Sequence, residues 1–120
     1  MKQLANMKPL ALAGLTVVAA FWSYAACAQP LVDWDKIQIK THDLGNKTYM
    51  LEGQGGNITL VVGTDGIIMV DGQFAPLSDK IKAAIKAISP LPVKYLINTH
   101  YHGDHTGGNE NFVKDRKSVV

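Results

Sequence analysis

The amino-acid sequence predicts a mixed α/β fold, because two periodicities follow one another in a characteristic order. Short apolar or β-branched runs separated by glycine-containing turns occupy residues 34–70, which is typical of strands. Residues 78–88 repeat apolar side chains every three or four positions, as the buried face of a helix does. An apolar run and a short polar helix follow, so the order strands, helix, strand, helix predicts one α/β unit without repeats or linkers.

The first part of this unit is predicted to contain four strands. Residues 34–40 and Thr48–Glu52 flank a Gly-Asn turn, and residues 58–62 and Ile67–Val70 form the next pair. Thr64-Asp65-Gly66 joins that second pair and predicts a tight hairpin, since Asp-Gly supplies the positive φ that such turns need.

A helix and a buried strand follow the hairpin. Ser78 is predicted to cap the helix, and the prolines at 90 and 92 end it. Residues 93–97 then read as a buried strand that extends to Asn98 and Thr99, and residues 109–117 as a second, short helix. The apolar face of the first helix comprises Ile81, Ala84, Ile85 and Ile88.

The segment between that strand and the second helix reads His-Tyr-His-Gly-Asp-His at residues 100–105, and we call it the histidine run. Residues two apart in an extended chain point the same way, so the first two histidines can converge on one metal ion. Gly103 lets the backbone turn and direct the next two polar side chains at a second ion. The alternative is a His-rich surface loop without function, but this pattern is improbable by chance in a sequence with four histidines. The candidate ligands, of the types that bind zinc through nitrogen and oxygen, are His100, His102, Asp104 and His105.

Residues 99–108, with the complete His-x-His-x-Asp-His pattern followed by Gly-Gly, resemble the signature of the metallo-β-lactamase fold superfamily. The resemblance implies that His100 and His102 bind a first zinc and that Asp104 and His105 bind a second. The remaining ligands of the family are expected downstream of Val120. With no cysteine in the run, the chain is most similar to the all-His, exported β-lactamase branch.

The resemblance also implies a function. We expect a zinc-dependent hydrolase with two Zn²⁺ ions, in which metal-bound hydroxide attacks the carbonyl of a small-molecule β-lactam, lactone, ester or thioester. Asp104 would be catalytic, binding the second ion and orienting the hydroxide. A non-catalytic zinc-binding fragment and a structural pseudo-domain that lacks the downstream ligands remain alternatives, because fold and motif do not fix activity.

Asp71, at the end of the predicted strand Ile67–Val70, has two interpretations. It is either an ordinary Asp-Gly turn residue or, as the resemblance implies, a carboxylate that accepts a hydrogen bond from a ligand imidazole and fixes its tautomer. The resemblance favours the second. Asn57, Gln73 and Phe74 occupy neighbouring loops and could line a substrate pocket, although ordinary turn chemistry is the favoured interpretation.

Residues 1–28 are predicted to be a signal peptide. Lys2 and Lys8 precede an apolar run that ends in Ala-Cys-Ala, so we expect cleavage before Gln29 and a periplasmic or secreted protein with no membrane contact afterwards. A lipoprotein signal modified at Cys27 is the second interpretation. An uncleaved anchor is the third, and the run is short for a membrane span.

Charge and cysteine content limit the partners. Lys2 and Lys8 account for the net charge of +2, so the remainder is formally neutral and nothing indicates a nucleic-acid partner. Cys27 is the single cysteine, so cleavage would leave no disulfide and no thiolate ligand.

The implied fold is an αββα sandwich of two similar halves, and residues 29–120 are expected to form only the N-terminal half, truncated at the C-terminus. Such a half would expose the sheet face that meets the other half. We therefore expect possible self-association through this face.

Overall fold

The computed structural model describes residues 31–114. The predicted signal segment with Cys27, and residues 115–117 of the predicted second helix, lie outside that range. None of the helices within it is long and apolar enough to cross a bilayer. The elements are β1 (Lys40–Gly45), β2 (Thr48–Glu52), β3 (Asn57–Val62), β4 (Ile67–Val70), α1 (Ser78–Ile88), β5 (Val93–Ile97), α2 (Gly103–Thr106) and α3 (Asn109–Val113).

The strands form one sheet in the order β1-β2-β3-β4-β5. Neighbours from β1 to β4 pair antiparallel, whereas β5 returns parallel to β4 after the α1 crossover. This arrangement confirms the predicted mixed α/β fold. The parallel pair matters most for the site, because the carboxyl ends of β4 and β5 lie side by side.

The core lies between the sheet and α1. Alternate residues of β3 and β4 point into it, as the period of a strand requires. Ile81 and Ile85 of α1 are buried as predicted, and Ala84 and Ile88 pack at the margin. The buried apolar residues are Leu51, Ile58, Leu60, Ile67, Met69, Leu77, Ile81, Ile85 and Phe112.

The opposite face of the sheet exposes apolar side chains. Val61, Ile68 and Tyr95 are paired in register on β3, β4 and β5 and are 39%, 40% and 52% exposed. Ile97, opposite Val70, is 53% exposed. A continuous apolar surface therefore crosses three neighbouring strands, on the face where the sequence leads us to expect one.

The two predicted hairpins, β1–β2 and β3–β4, differ in the conformation of their turns. Between β1 and β2, Asn46 and Lys47 have φ of 50° and 58°, the left-handed conformation that a two-residue hairpin favours. The positive φ predicted at Asp65 and Gly66 is wrong, since neither is among the positive-φ residues of the described chain. Gly66 is needed for space instead, because a Cβ there would lie 2.6 Å from the side chain of Lys94.

The predicted strand at 34–40 is also wrong. Trp34–Lys36 is a 3-10 helix, and β1 begins only at Lys40. The ammonium group of Lys80 on α1 donates to the carbonyl oxygens of Trp34 (2.9 Å), Asp35 (2.8 Å) and Ile37 (2.8 Å). These carbonyls are thereby unavailable to a neighbouring strand.

Ser78 does not cap α1. A second 3-10 helix, Ala75–Leu77, runs directly into α1, so Leu77 occupies the capping position. The hydroxyl of Ser78 instead accepts a hydrogen bond from the Asn111 amide at 3.0 Å, which connects α1 to α3. Strand β5 ends at Ile97, two residues before the predicted end, and the predicted burial of this strand is wrong. None of its five residues is buried, because β5 lies at the edge of the described sheet.

Candidate metal centre

The histidine run follows β5 and lies against the end of β4. The backbone N–H of Asp71 donates to the carbonyl of Ile97 at 2.7 Å, and that of Gly72 to the carbonyl of His105 at 2.7 Å. The amide of Asn98 also donates to the His105 carbonyl, at 3.0 Å, and pairs with the amide of Asn109. The run is thus held at both ends, at the sheet edge where α/β proteins commonly bind ligands.

Asp71 organises this edge from below the surface. It is 3% exposed, has φ of 67° and accepts hydrogen bonds from the Thr99 N–H (2.8 Å), the Thr99 hydroxyl (2.8 Å) and the His105 Nδ1 (2.7 Å). Burial raises the pKa of the Asp71 carboxyl, but the bonds from His105 and Thr99 outweigh it and the pKa lies below the ordinary value. Asp71 is therefore an ionised acceptor, and the imidazole bond expected of it is present.

The tautomer of His100 follows from this network. The one hydroxyl proton of Thr99 goes to Asp71, so the Thr99 oxygen can only accept from the Nδ1 of His100, which lies 2.9 Å away. Nδ1 then carries the proton and Nε2 carries the lone pair. Thr99 has no role in the sequence prediction, because the contact that reveals it joins residues 28 positions apart.

The first pair of candidate ligands converges. His100 Nε2 and His102 Nδ1 are 3.1 Å apart. Two ligands of a tetrahedral zinc at 2.0–2.1 Å lie about 3.3 Å from each other, so this separation suits two nitrogens that share an ion.

The second pair also converges. His105 Nε2 lies 3.3 Å from an oxygen of Asp104. In neutral His105, with Nδ1–H bound to Asp71, Nε2 is an acceptor that faces another acceptor, which favours a cation or a proton between them. The pKa of His105 is accordingly raised, mainly by its hydrogen bond to Asp71 and further by the Asp104 and Asp71 charges, against an opposing effect of burial.

These two pairs fit zinc in donor type, separation and tautomer. The rings of His100 and His105 are 4.0 Å apart between centroids, so the pairs are neighbours. Within residues 31–114, however, no group of three or more His, Cys, Asp or Glu side chains is arranged to hold a metal. The described residues thus bring together two pairs of candidate ligands, and neither pair alone completes a tetrahedral site.

In the neighbouring loops, Gln73 and Phe74 make contacts beyond the ordinary turn interactions that the sequence favours for them. Gln73 is 1% exposed with φ of 53°, and its side chain bonds to backbone at residues 54 and 56. Phe74 packs against Trp34 with ring centroids 5.2 Å apart and the ring planes tilted by 56°, while Asn57 is exposed in β3. His42, distant in sequence from the run, pairs with Glu52 at 2.9 Å.

The model of the metallo-beta-lactamase superfamily matches residues 51–120, which include the histidine run and Asp71. The chain belongs to the metallo-beta-lactamase superfamily. The match covers more than half of the chain, and it places both β4 and β5 within the family domain.

Solved structures agree on the fold. A mutant of the metallo-beta-lactamase from Legionella gormanii is 23% identical with a TM-score of 0.60, over 68% of this chain and 32% of that one. A class B3 di-zinc metallo-beta-lactamase from an Alaskan soil metagenome is 24% identical with a TM-score of 0.61, over 72% and 33%. A flavoprotein from Thermotoga maritima is 19% identical with a TM-score of 0.58, over 70% and 26%. The chain thus spans about a third of the length of these structures or less.

A curated protein is also similar. A linear primary-alkylsulfatase of a Pseudomonas species is 34% identical over 59 residues, which is 48% of this chain and 11% of that protein. A β-lactamase and an alkylsulfatase are thus both among the proteins to which this chain is similar, and both names denote hydrolases.

Proposed function

We propose that this chain supplies part of the metal centre of a zinc-dependent hydrolase. His100 and His102 would hold one zinc, and Asp104 and His105 a second. The observation that carries this proposal is the hydrogen-bond network of Asp71 and Thr99, which holds the proton of the neutral His100 and His105 rings on Nδ1 and leaves the Nε2 lone pair of each directed at the neighbouring candidate ligand. The di-zinc description of one structural neighbour supports the choice of zinc.

When bound, zinc supplies a Lewis acid that polarises a carbonyl oxygen and lowers the pKa of water enough to make hydroxide available near neutral pH. The residues of this chain would bind the zinc ions and orient the imidazoles that hold them. Asp71 holds His105 directly and His100 through Thr99. The side chain of Asp104 is 33% exposed, against 17% for His105, so its carboxylate is the group of that pair that can contact a water nucleophile.

The substrate class we favour is a small molecule with an activated carbonyl: a β-lactam, lactone, ester or thioester. We favour the all-His β-lactamase branch, because the second pair of candidate ligands, Asp104 and His105, contributes a histidine and no cysteine. Sulfate esters are a second candidate, favoured by the similarity to the alkylsulfatase.

Hydrolysis by the zinc-loaded protein, including any residues encoded beyond Val120, tests the proposal. The substrates are a chromogenic β-lactam, a lactone, a nitrophenyl ester, a thioester and a primary alkyl sulfate. We expect turnover of at least one, abolished in His102→Ala and retained in His42→Ala, a matched histidine change outside the site. Zinc binding without turnover would contradict the enzyme and indicate a binding fragment, and absence of both would indicate a structural pseudo-domain.

A further inference from the structure

Gln73 is a buried polar residue that the proposed metal chemistry does not use. It is 1% exposed and lies in the left-handed region, with φ of 53°. A glutamine there has an unfavourable backbone conformation, which is retained where the surrounding structure depends on it. The contacts of Gln73 show which segments depend on it.

The side chain and backbone of Gln73 join three segments. Its amide Nε2 donates to the carbonyl of Gly56, and its Oε1 accepts the N–H of Gln54 at 3.2 Å. Its backbone carbonyl accepts the N–H of Gly108 at 2.7 Å. Gln73 therefore connects the loop at 53–56, between β2 and β3, to the segment that follows the histidine run.

The loop at 53–56 lies directly on the second pair of candidate ligands. A Cβ on Gly56 would lie 2.5 Å from Cε1 of His105, and a Cβ on Gly55 would lie 2.9 Å from Cβ of Asp104. A Cβ on Gly53 would lie 2.7 Å from Oε1 of Gln73. Glycine is thus needed at these positions for close approach, and the loop backbone forms a wall against Asp104 and His105.

We propose that Gln73 is a positioning residue that holds the 53–56 loop against His105 and Asp104 and so restricts the rotation of these two side chains. His105 is then fixed from two sides, by Asp71 at Nδ1 and by the backbone of Gly56 near Cε1 and Nε2. His100 and His102 lie outside these close glycine contacts. The effect of Gln73 is consequently selective for the second metal position, and in that respect the inference rests on the proposed function.

Gln73→Met in the full chain tests this role, because methionine keeps the length of the side chain and removes its donor and its acceptor. Gln54→Met is the matched control, since Gln54 contributes its backbone N–H and its side chain forms no hydrogen bond within the described residues. The readout is the metal-free protein at fixed pH. Long-range ¹H–¹⁵N NMR spectra report the tautomer of each imidazole, and three-bond couplings report its rotamer.

We expect His105 of the wild-type protein to show one rotamer with the proton on Nδ1. Gln73→Met should average the rotamer of His105 while the signals of His42 stay in place, and Gln54→Met should change neither. Cobalt titration should show the second equivalent binding about 10-fold more weakly or worse in Gln73→Met, within the range usual for loss of a supporting contact, with the first equivalent unaffected. An unaltered His105 in a folded Gln73→Met protein would overturn the proposal.

A second variant covers the case in which Gln73→Met does not fold. Gly56→Ala leaves Gln73 intact and places a methyl group against the imidazole, so we expect it to displace His105 while His42, distant in sequence from the run, is unchanged. An unperturbed His105 in this variant would also overturn the proposal. Failure of the proposed function looks different, because the protein would then fail to bind zinc or cobalt while His105 still responded to both substitutions.

Discussion

At the scale of single residues, Asp71 determines how the histidine run is oriented. Its carboxylate accepts three hydrogen bonds, two from Thr99 and one from His105, and Thr99 in turn accepts from His100. Two candidate ligands, His100 at the start of the run and His105 at its end, therefore depend on one buried charge. Removal of that charge leaves these donors without an acceptor at a position that is itself 3% exposed.

Asp71→Asn should weaken zinc binding by about 10- to 100-fold and lower the free energy of unfolding of the metal-free chain by about 1–3 kcal/mol. The asparagine has nearly the same shape, but its NH₂ group faces one of the three donors. Zinc titration and urea unfolding measure the two effects. Asp35→Asn, an exposed aspartate in the first 3-10 helix, is the control and should change neither.

The loss of stability should depend on pH. The pKa of Asp71 is lowered on folding, so its contribution is present above the unfolded value of about 3.9 and is lost as the pH falls through the lower folded value. The pKa of His105 is raised, so its contribution is present below the unfolded value of about 6.5 and is lost as the pH rises through the folded value. Wild type and Asp71→Asn should differ most between about pH 4 and 6.5. Parallel stability curves across pH 3 to 9 would contradict this account.

How far the sequence identifies such residues depends on the range of the contacts. The convergence of His100 with His102 follows from local spacing, and Asp71 is found through the resemblance of the motif. Thr99 and Gln73 act through bonds to residues 28 and 17 to 19 positions away. No local pattern marks such residues, because their partners are defined only once the sheet has formed.

At the scale of elements, strand alternation and helical periodicity predict β2, β3, β4 and α1 well, since each has residues buried on one face, whereas β5 is predicted from its apolar run and has no buried residue. The incorrect prediction of a strand at residues 34–40 has a specific cause. An alternating pattern cannot show that the carbonyls of Trp34, Asp35 and Ile37 converge on the ammonium group of Lys80. That group connects the first described segment of the chain to α1.

Lys80→Ala should therefore destabilise the 3-10 helix Trp34–Lys36 specifically. Three carbonyls lose a charged donor, and we expect a decrease of about 1–3 kcal/mol in the free energy of unfolding. Amide exchange at Lys36 and Ile37 should accelerate more than exchange in β3. Lys86→Ala, an exposed lysine on the same helix, is the matched control. Equal effects of the two substitutions would show that the contacts of Lys80 contribute nothing.

At the scale of the whole molecule, the sheet is covered by α1 on one face and exposes an apolar surface on the other. Val61, Ile68, Tyr95 and Ile97 form that surface. The chain spans about a third of the length of the superfamily structures it matches. Apolar surface of this kind favours association.

We expect the 120-residue chain to self-associate in a concentration-dependent way, measured by sedimentation velocity. Ile68→Lys combined with Ile97→Lys should shift it to monomer, because two charges on the face would be desolvated in any complex. Leu44→Lys alters an equally exposed apolar residue near the first turn, away from this surface, and should leave association unchanged. Association that survives the double substitution would place the contact elsewhere.

The central claim is that the histidine run binds zinc, and calorimetric titration of the 120-residue chain with Zn²⁺ tests it most directly. We expect zinc uptake by the wild-type chain and by His42→Ala, and the loss of one zinc equivalent in the His100→Ala, His102→Ala double variant, because those two imidazoles are the pair whose nitrogens lie 3.1 Å apart. Absence of uptake by the wild type, or uptake that the double variant retains in full, would contradict the claim.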